Sequence, residues 1–146
     1  MIRNILMVCV GNICRSPMAE GLLKQQAVGH EGVRIHSAGL GALVGSAADP
    51  EALTQMAQRG VDIAQHRARQ ISLEIVRDVD LILVMEKPHL QHLHAQFPVT
   101  RGKVHLLGKW NEREIPDPYR KSPEFFANTA KLIEEDVAAW AAKIWR

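Results

Sequence analysis

A cysteine and an arginine bracket one short loop near the start of the chain. Residues 5–8, before the loop, are continuously apolar and have the length and character of a β-strand. Ser16-Pro17, after Arg15, predicts a helix start, because Ser is a favoured N-cap and Pro suits the first helical position. Turn N–H groups and a helix dipole supply partial positive charge, so this arrangement indicates an anion site. The loop reads Cys9, Val10, Gly11, Asn12, Ile13, Cys14, Arg15, Ser16.

Two side chains indicate which anion chemistry the loop favours. Cys9 lies where the strand enters the loop, so its sulfur faces the amides and the helix end, which favour the thiolate form. Arg15 offers a planar guanidinium that matches two phosphate oxygens. A thiolate and a guanidinium around one oxyanion pocket indicate phosphoryl transfer through a cysteinyl-phosphate intermediate. The loop contains no lysine, which excludes a Walker loop for nucleotides.

The same cysteine has a second interpretation. A cysteine at the end of a buried strand is often only a small hydrophobic residue, and a cysteine and an arginine occur at this spacing by chance. The strand before the loop, the helix start after it, and Gly11-Asn12 between them favour the catalytic interpretation.

Residues 8–17 resemble the signature of the low-molecular-weight protein tyrosine phosphatases. Asp117-Pro118-Tyr119 is similar to the general-acid segment of that family, and the likeness extends through the whole chain and its length. The resemblance implies a protein-tyrosine phosphatase in which Cys9 is the nucleophile and Arg15 binds phosphate together with the loop amides. The phosphate-binding loop then also includes Val10, Gly11, Asn12, Ile13, Cys14 and Ser16.

Asp117 is predicted to be the general acid and then the general base. After Cys9 attacks phosphorus, the departing phenolate needs a proton, which a carboxylic acid above the pocket can supply. As a carboxylate, the same group can activate the water that hydrolyses the cysteinyl phosphate. Asp-Pro is also a common turn dipeptide, as Asp49-Pro50 illustrates, so this prediction depends on the resemblance.

Four polar residues are predicted to support the loop. Asn tolerates left-handed backbone better than other non-glycine residues, so Asn12 suits a tight turn around an anion. The resemblance implies that Ser16, Ser37 and His66 hydrogen-bond with Asn12. It also implies that the Ser16 hydroxyl stabilises the Cys9 thiolate.

Cys14 lies in the same loop as Cys9, and we expect it to be a redox partner of Cys9. Two cysteines whose Cα atoms come within about 7 Å can form a disulfide. The hypothesis is that peroxide oxidises Cys9 to a sulfenic acid, which Cys14 resolves before irreversible damage occurs. The alternative is that Cys14 is a passive buried thiol.

Three residues are predicted to line the mouth of the pocket, namely Leu40, Leu43 and Tyr119. Eukaryotic members of the family carry a tryptophan within the stretch that corresponds to residues 38–48, where this chain has no aromatic residue. Residues 37–44 and 115–122 resemble most the bacterial phosphatases of capsule and exopolysaccharide loci. That resemblance implies a partner, a membrane tyrosine autokinase with a tyrosine-rich C-terminal tail, whose docking would add binding energy that a shallow pocket lacks.

Size and composition narrow the class of protein. The chain has 146 residues, of which 47% are hydrophobic and 23% charged, which predicts one globular domain over residues 1–146. A net charge of +2 does not suggest nucleic acid or a membrane surface as a partner. No apolar stretch approaches the roughly 20 residues needed to span a bilayer. Two cysteines do not form a secreted disulfide framework. We therefore expect a cytoplasmic monomer without a cofactor.

Three other functions fit the sequence less well. Arsenate reduction on the same fold relays electrons through two further cysteines, but no cysteine follows Cys14. A module that only captures phosphotyrosine would lack the nucleophile or the acid, and both Cys9 and Asp117 are present. A zinc site formed by Cys9, Cys14 and histidines is weaker still, because the three histidines at positions 89, 92 and 94 are more simply the solvated face of a helix.

Strands and helices are predicted to alternate along the chain, which indicates a parallel sheet between two helix layers. The fold class is therefore α/β, a three-layer sandwich with a four-stranded parallel sheet in flavodoxin-like order 2-1-3-4. That order places Cys9 at the switch point, where such folds bind ligands. The strands are predicted at residues 5–8, 33–37, 80–85 and 104–107. The helices are predicted at residues 16–28, from Asp49-Pro50 to Gly60, at 72–78, 87–96, and from Ser122-Pro123 onward, with an inward stripe of Phe126, Ala130, Ile133, Val137, Trp140 and Ile144.

Overall fold

Four parallel strands form the centre of the computed structural model, which describes residues 1–145. The spatial order is β2-β1-β3-β4, and all three pairings are parallel. The predicted α/β fold with sheet order 2-1-3-4 is therefore confirmed. The strands are β1 (Asn4–Cys9), β2 (Arg34–Gly39), β3 (Leu81–Val84) and β4 (Val104–Leu106).

The central strand β1 is apolar because both of its faces are covered. Its side chains alternate, so Ile5 and Met7 enter one core and Leu6 and Val8 enter the other. All four are fully buried. This is the reason that the segment shows a continuous apolar run rather than alternation with polar residues.

Helices cover both faces of the sheet. One core contains side chains from α1, α2 and α5, and the other contains side chains from α3 and α4. No helix within residues 1–145 has the length and apolarity needed to cross a membrane. The helices are α1 (Arg15–Gln26), α2 (Pro50–Ala57), α3 (Leu73–Arg77), α4 (Lys87–Gln96) and α5 (Pro123–Ile144), and two short 3-10 turns lie at Pro98–Thr100 and Lys109–Asn111.

Three of the predicted helix starts have the expected side-chain caps. Asp49 accepts a hydrogen bond from the N–H of Glu51, and Ser72 and Ser122 accept bonds from residues three positions onward. The predicted stripe of α5 packs against α1 and α2, where five of its residues are buried and Ile144 is half-buried.

The prediction that Ser16 caps α1 is wrong. The helix begins one residue earlier, at Arg15, and the cap position falls on Cys14, whose side chain makes no capping bond. Ser16 is fully buried in the first turn because its hydroxyl faces the loop side chains instead of the helix end. The helix also ends at Gln26, before the predicted residue 28.

Strand β2 extends beyond its predicted end. It continues to Gly39 because it pairs with β1 as far as the register Cys9 with Gly39. Gly39 is required there, since a Cβ at this position would collide with the carbonyl oxygen of Val10 in the loop. The end of β2 thus supports the loop directly.

The prediction that the histidines of α4 face outward is wrong for His89. That residue is only 6% exposed, and its Nδ1 accepts a hydrogen bond from the N–H of Glu86, 3.2 Å away, at the start of the helix. Of the other two, His92 is exposed and His94 is half-buried.

Candidate active site

The loop between β1 and α1 lies at the carboxyl-terminal edge of the sheet, where β1 has β2 on one side and β3 on the other. Such a point, at which the chain order reverses, leaves a crevice beyond the strand ends. Asn12 has a φ of 59°, so the turn uses the left-handed backbone that Asn tolerates. The loop thereby reverses direction within a few residues and brings Arg15 back toward Cys9.

Cys9 lies at the floor of a pocket of about 210 Å³ and is 3% exposed. Its sulfur is 2.9 Å from the Oγ of Ser16, a buried hydroxyl in the first turn of α1. A hydroxyl proton directed at the sulfur stabilises the thiolate over the thiol. The pocket is lined by Cys9, Val10, Gly11, Ile13, Cys14, Arg15, Gly41, Leu43, Asp117 and Tyr119.

Asn12 joins the loop to three neighbouring segments. Its side-chain amide donates to the Oγ of Ser16 at 2.8 Å and to the Oγ of Ser37 at 3.0 Å. Its side-chain oxygen accepts the backbone N–H of Arg69 at 2.9 Å, and its backbone oxygen lies 2.6 Å from Nε2 of His66. The structure therefore brings together the four polar residues singled out in the sequence.

Arg69 ties the same network to the outer strand β2. Its Nε donates to the backbone oxygen of Ser37 at 2.9 Å, and its guanidinium contacts Nδ1 of His36. Burial, with the adjacent positive charges of Arg69 and Arg34, lowers the pKa of His36 to about 4. His36 is therefore neutral near pH 7 and can accept a hydrogen bond from the arginine.

Arg15 is held from behind by two oxygens. Its Nη1 donates to Glu86 Oε1 at 2.7 Å and to the backbone oxygen of Ile115 at 2.9 Å. Its Nη2 lies 3.8 Å from Oδ2 of Asp117 across the pocket. The side chain is 3% exposed, so the guanidinium has one defined orientation. A fixed fork of this kind suits a tetrahedral oxyanion.

Glu86 and His89 support the Arg15 side of the site, and the sequence analysis did not find them. Glu86 pairs with Arg15, and His89 holds the Glu86 backbone. Burial and the Arg15 charge lower the pKa of His89, which favours the neutral ring that accepts this bond. One feature of the sequence could have placed Glu86 near the site. Glu86 follows a predicted buried strand, and parallel strands end at the same edge of the sheet as the Cys9 loop.

Asp117 and Tyr119 form one wall of the pocket mouth. Asp117 Oδ1 accepts the N–H of Tyr119 at 3.0 Å, while Oδ2 points toward Arg15. Leu43 also lines the pocket and is 47% exposed. Leu40, which was predicted at the mouth, does not line the pocket. It packs against the core on the α3 and α4 side of the sheet instead.

Cys14 is a free, buried thiol beside Cys9 in the same core and pocket. Burial, with the nearby charges of Asp49, Cys9 and Asp117, raises the pKa of Cys14 well above its usual range. Cys14 is therefore a neutral thiol near pH 7. Within residues 1–145, no cluster of three or more His, Cys, Asp and Glu side chains has the arrangement of a metal site.

Comparison with known proteins gives the family of this chain. Residues 4–146 match the model of the family described as low molecular weight phosphotyrosine protein phosphatase. The chain belongs to the low molecular weight tyrosine phosphatases. The resemblance stated from the sequence is thus confirmed, and the Cys9–Arg15 loop and Asp117 lie in the segments that carried it.

Several members of this phosphatase family are similar to the chain in sequence and in structure. Wzb of Escherichia coli K12, a low molecular weight protein-tyrosine-phosphatase, is 53% identical over 142 residues, covering 97% of this chain and 95% of Wzb. The crystal structure of Wzb from E. coli K30 in complex with sulphate has a TM-score of 0.93 at 40% identity and covers 99% of both chains. Wzb of Vibrio vulnificus in complex with benzylphosphonate has a TM-score of 0.93 at 40% identity, covering 98% of this chain and 99% of that one. The chain is a Wzb-like protein tyrosine phosphatase.

Proposed function

We propose that this phosphatase hydrolyses phosphotyrosine by double displacement at Cys9. The sulfur attacks phosphorus, the bond from phosphorus to the phenolic oxygen breaks, and the phenolate leaves with a proton from Asp117. Water then gives a proton to the Asp117 carboxylate, attacks phosphorus and releases Cys9 as thiolate with inorganic phosphate. The observation that carries this proposal is that Cys9, Arg15 and Asp117 line the same pocket.

Arg15 is proposed to bind the equatorial phosphoryl oxygens with the loop amides. Glu86 and Ile115 occupy Nη1, which leaves the Nη2 side of the guanidinium directed into the pocket. An arginine that is already oriented loses little side-chain entropy when phosphate binds. Developing negative charge in the transition state is therefore met by a donor that does not need to move.

Asp117 is proposed to be the general acid because its side chain lies near the mouth of the pocket. Its side chain is 51% exposed, whereas Cys9 is 3% exposed, so the carboxyl lies near the mouth of the pocket and the sulfur lies at the floor. The hydrogen bond from the Tyr119 N–H fixes one carboxyl oxygen and leaves Oδ2 toward the reacting centre. This arrangement matches in-line attack by sulfur with protonation of the opposite oxygen.

The depth of the pocket favours tyrosine over serine as the phosphorylated residue. A long planar phenol can bring phosphorus to the Cys9 sulfur while the peptide backbone stays outside. A phosphoserine side chain is too short to do so. Leu43 and Tyr119 at the mouth can contact the faces of the phenyl ring.

The proposed substrate is a membrane tyrosine autokinase of a capsule or exopolysaccharide pathway, dephosphorylated in the cytoplasm by a monomer. The support is the similarity to Wzb across nearly the whole chain. A second support is the mouth, which offers one aromatic side chain and aliphatic neighbours to a free phosphotyrosine peptide. Contacts with a folded kinase outside the pocket would add the affinity that the mouth alone does not supply.

The direct test is hydrolysis of p-nitrophenyl phosphate with EDTA present. Cys9→Ser is expected to abolish turnover, because the hydroxyl is a much weaker nucleophile. Asp117→Asn is expected to lower kcat by about 100-fold or more, since it can no longer donate the proton. Asp78→Asn, an exposed aspartate outside the pocket, serves as the matched control and should keep wild-type activity.

Two results would overturn the mechanism. If the fully reduced wild-type protein shows no turnover, then the pocket binds phosphate without hydrolysing it. If Cys9→Ser keeps full activity, then the nucleophile is a different residue. A phosphotyrosine peptide and a phosphoserine peptide of the same sequence test the selectivity, and equal rates would contradict the argument from pocket depth.

A further inference from the structure

A chain of hydrogen bonds extends from the Cys9 sulfur to a carboxylate in the middle of α1. The sulfur lies 2.9 Å from Ser16 Oγ, which accepts from Asn12 Nδ2 at 2.8 Å. The same Nδ2 donates to Ser37 Oγ at 3.0 Å, and that hydroxyl donates to Glu20 Oε1 at 2.6 Å. Glu20 does not line the pocket that contains Cys9, and the mechanism above does not use it.

The orientation of the Asn12 amide fixes the direction of this chain. The backbone N–H of Arg69 can only donate, and it lies 2.9 Å from Oδ1 of Asn12. Nδ2 must therefore point toward the two serine hydroxyls and give one proton to each. Ser16 and Ser37 are both acceptors toward Asn12, so each retains one proton to donate elsewhere.

Each of the two serine hydroxyl protons has one hydrogen-bond acceptor. The Ser16 proton points to Cys9, and the Ser37 proton points to Glu20. Asn12, Ser16 and Ser37 are at most 4% exposed, so water cannot easily replace a lost partner. A buried hydroxyl without an acceptor is costly and turns toward another group.

We propose that Glu20 is a positioning residue for the nucleophile. By accepting the Ser37 proton it keeps Ser37 as an acceptor for Asn12, and Asn12 in turn holds Ser16 so that its proton points at the Cys9 sulfur. Since Asn12 donates in both directions, Glu20 acts on the sulfur by fixing the orientation of these groups and not by polarising a one-way chain. This inference rests on the proposed role of Cys9 as the nucleophile.

The negative charge of Glu20 is offset by neighbouring groups, so it does not strongly disfavour a thiolate at Cys9. Lys24, one turn further along α1, contacts Glu20 Oε2 at 2.6 Å and offsets the negative charge. The Glu20 side chain is 17% exposed, so it is partly screened by solvent. The titratable and charged groups that face it from its own helix, from β2 and from the adjoining loop are Lys24, His36, Asp62, His66 and Arg69.

The test measures the reactivity of Cys9 directly. Wild type, Glu20→Ala and Glu20→Gln are treated with iodoacetamide over a range of pH, and carboxamidomethylation of Cys9 is followed by mass spectrometry. Glu20→Ala is expected to move the profile to higher pH, with a rate about three- to tenfold lower on the acid side, because the thiolate loses part of its donor. Glu20→Gln retains an acceptor oxygen and should recover part of the loss. The pH profile of kcat/KM for p-nitrophenyl phosphate should move in the same direction.

A double-mutant cycle separates this role from general destabilisation. If Glu20 acts through Ser37, then Glu20→Ala should change nothing further in a Ser37→Ala background. Glu134→Ala is the matched control, since it removes a glutamate of α5 that pairs with the basic side chain of Arg59, as Glu20 pairs with Lys24, and its profile should equal that of wild type.

The inference fails if Glu20→Ala lowers the melting temperature but leaves both pH profiles in place, or if the effects of Glu20→Ala and Ser37→Ala add. A wild-type protein that lacks phosphatase activity would instead overturn the proposed function. The two failures are therefore distinguishable.

Discussion

Arg15 illustrates how a single residue depends on partners that are far away in the sequence. Its charge is almost completely buried, which is unfavourable unless the guanidinium is paired and hydrogen-bonded. Glu86, 71 positions onward, and the Ile115 carbonyl, 100 positions onward, supply those bonds. The arginine was evident from the loop, whereas its partner was not, because pairing across the sheet edge depends on the tertiary fold.

Removing the partner of Arg15 should weaken both stability and phosphate binding. Glu86→Ala leaves a buried charge unpaired and is expected to lower the free energy of unfolding by about 1–3 kcal/mol, reduced by the partial exposure of Glu86. KM for p-nitrophenyl phosphate should rise, because the guanidinium is no longer held. Urea denaturation and steady-state kinetics measure the two effects. Glu31→Ala, at an exposed loop position, is the control, and equal behaviour of the two variants would contradict the anchoring role.

Cys14 is expected to protect Cys9 from peroxide by forming a disulfide with it, and the rate of disulfide formation should rise with pH. Peroxide converts the Cys9 thiolate to a sulfenic acid and releases hydroxide, and the Cys14 thiolate then attacks that sulfur, expels hydroxide and forms the disulfide. Because the pKa of Cys14 is raised, only a small fraction is thiolate near pH 7, and that fraction grows about tenfold per pH unit. Disulfide formation should therefore accelerate as the pH rises.

Mass spectrometry after mild peroxide treatment follows this reaction. Wild type should recover activity with a reducing agent, whereas Cys14→Ser should accumulate sulfinic acid at Cys9 and stay inactive. Sulfinic acid in wild type without a Cys9–Cys14 disulfide would show that Cys14 is a passive buried thiol.

At the scale of elements, α1 differs from α2, α3 and α5 in how it begins. Asp49, Ser72 and Ser122 cap α2, α3 and α5 with side-chain oxygens, but no side chain caps α1. The first N–H groups of a helix need an acceptor, and the helix dipole favours a negative one. An oxyanion in the pocket beside Arg15 would fill the place of the missing cap.

A bound oxyanion is therefore expected to stabilise the fold. Phosphate at about 100 times its dissociation constant should add about 2.7 kcal/mol to the free energy of unfolding, which thermal unfolding measures as a higher melting temperature. Arg15→Ala should lose most of this increase. Ser122→Ala, which removes the cap of α5, should lower the melting temperature but keep the increase. An equal increase with chloride at the same ionic strength would show that the effect is not specific to the site.

At the scale of the whole molecule, the sheet with its two helix layers presents one pocket at the edge where β1 ends. The mouth has Leu43 and Tyr119 as its exposed large apolar side chains, together with Val10. A single phosphotyrosine in the pocket can contact only these residues, Gly41, Asp117 and the loop. Selectivity for one protein substrate must then come from surfaces outside the mouth.

A folded kinase is accordingly expected to be a better substrate than its isolated tail. The specificity constant kcat/KM should be at least about tenfold higher for the kinase domain that carries its phosphorylated tail than for the corresponding phosphotyrosine peptide. Leu43→Ala should lower kcat/KM for the kinase and for the peptide by a similar factor, because both substrates contact the mouth of the pocket. Equal constants for the kinase and the peptide would contradict a docking contribution.

The sequence by itself determined the elements of this protein and the centre of its site. The apolar run before Cys9, the caps at Asp49, Ser72 and Ser122, and the stripe of α5 are local patterns, so the helices, the strands and the Cys9–Arg15 loop could be predicted from them. The alternation of strands and helices then indicated the sheet order. Only the tertiary structure decided which side chains contact the residues of the site. Glu86 behind Arg15, Glu20 behind Ser37, the burial of His89 and the displacement of Leu40 from the mouth depend on which segments meet at the sheet edge. Hydrogen bonds and charge pairs act over a few ångströms in space, and their spacing along the chain carries no signal of that contact.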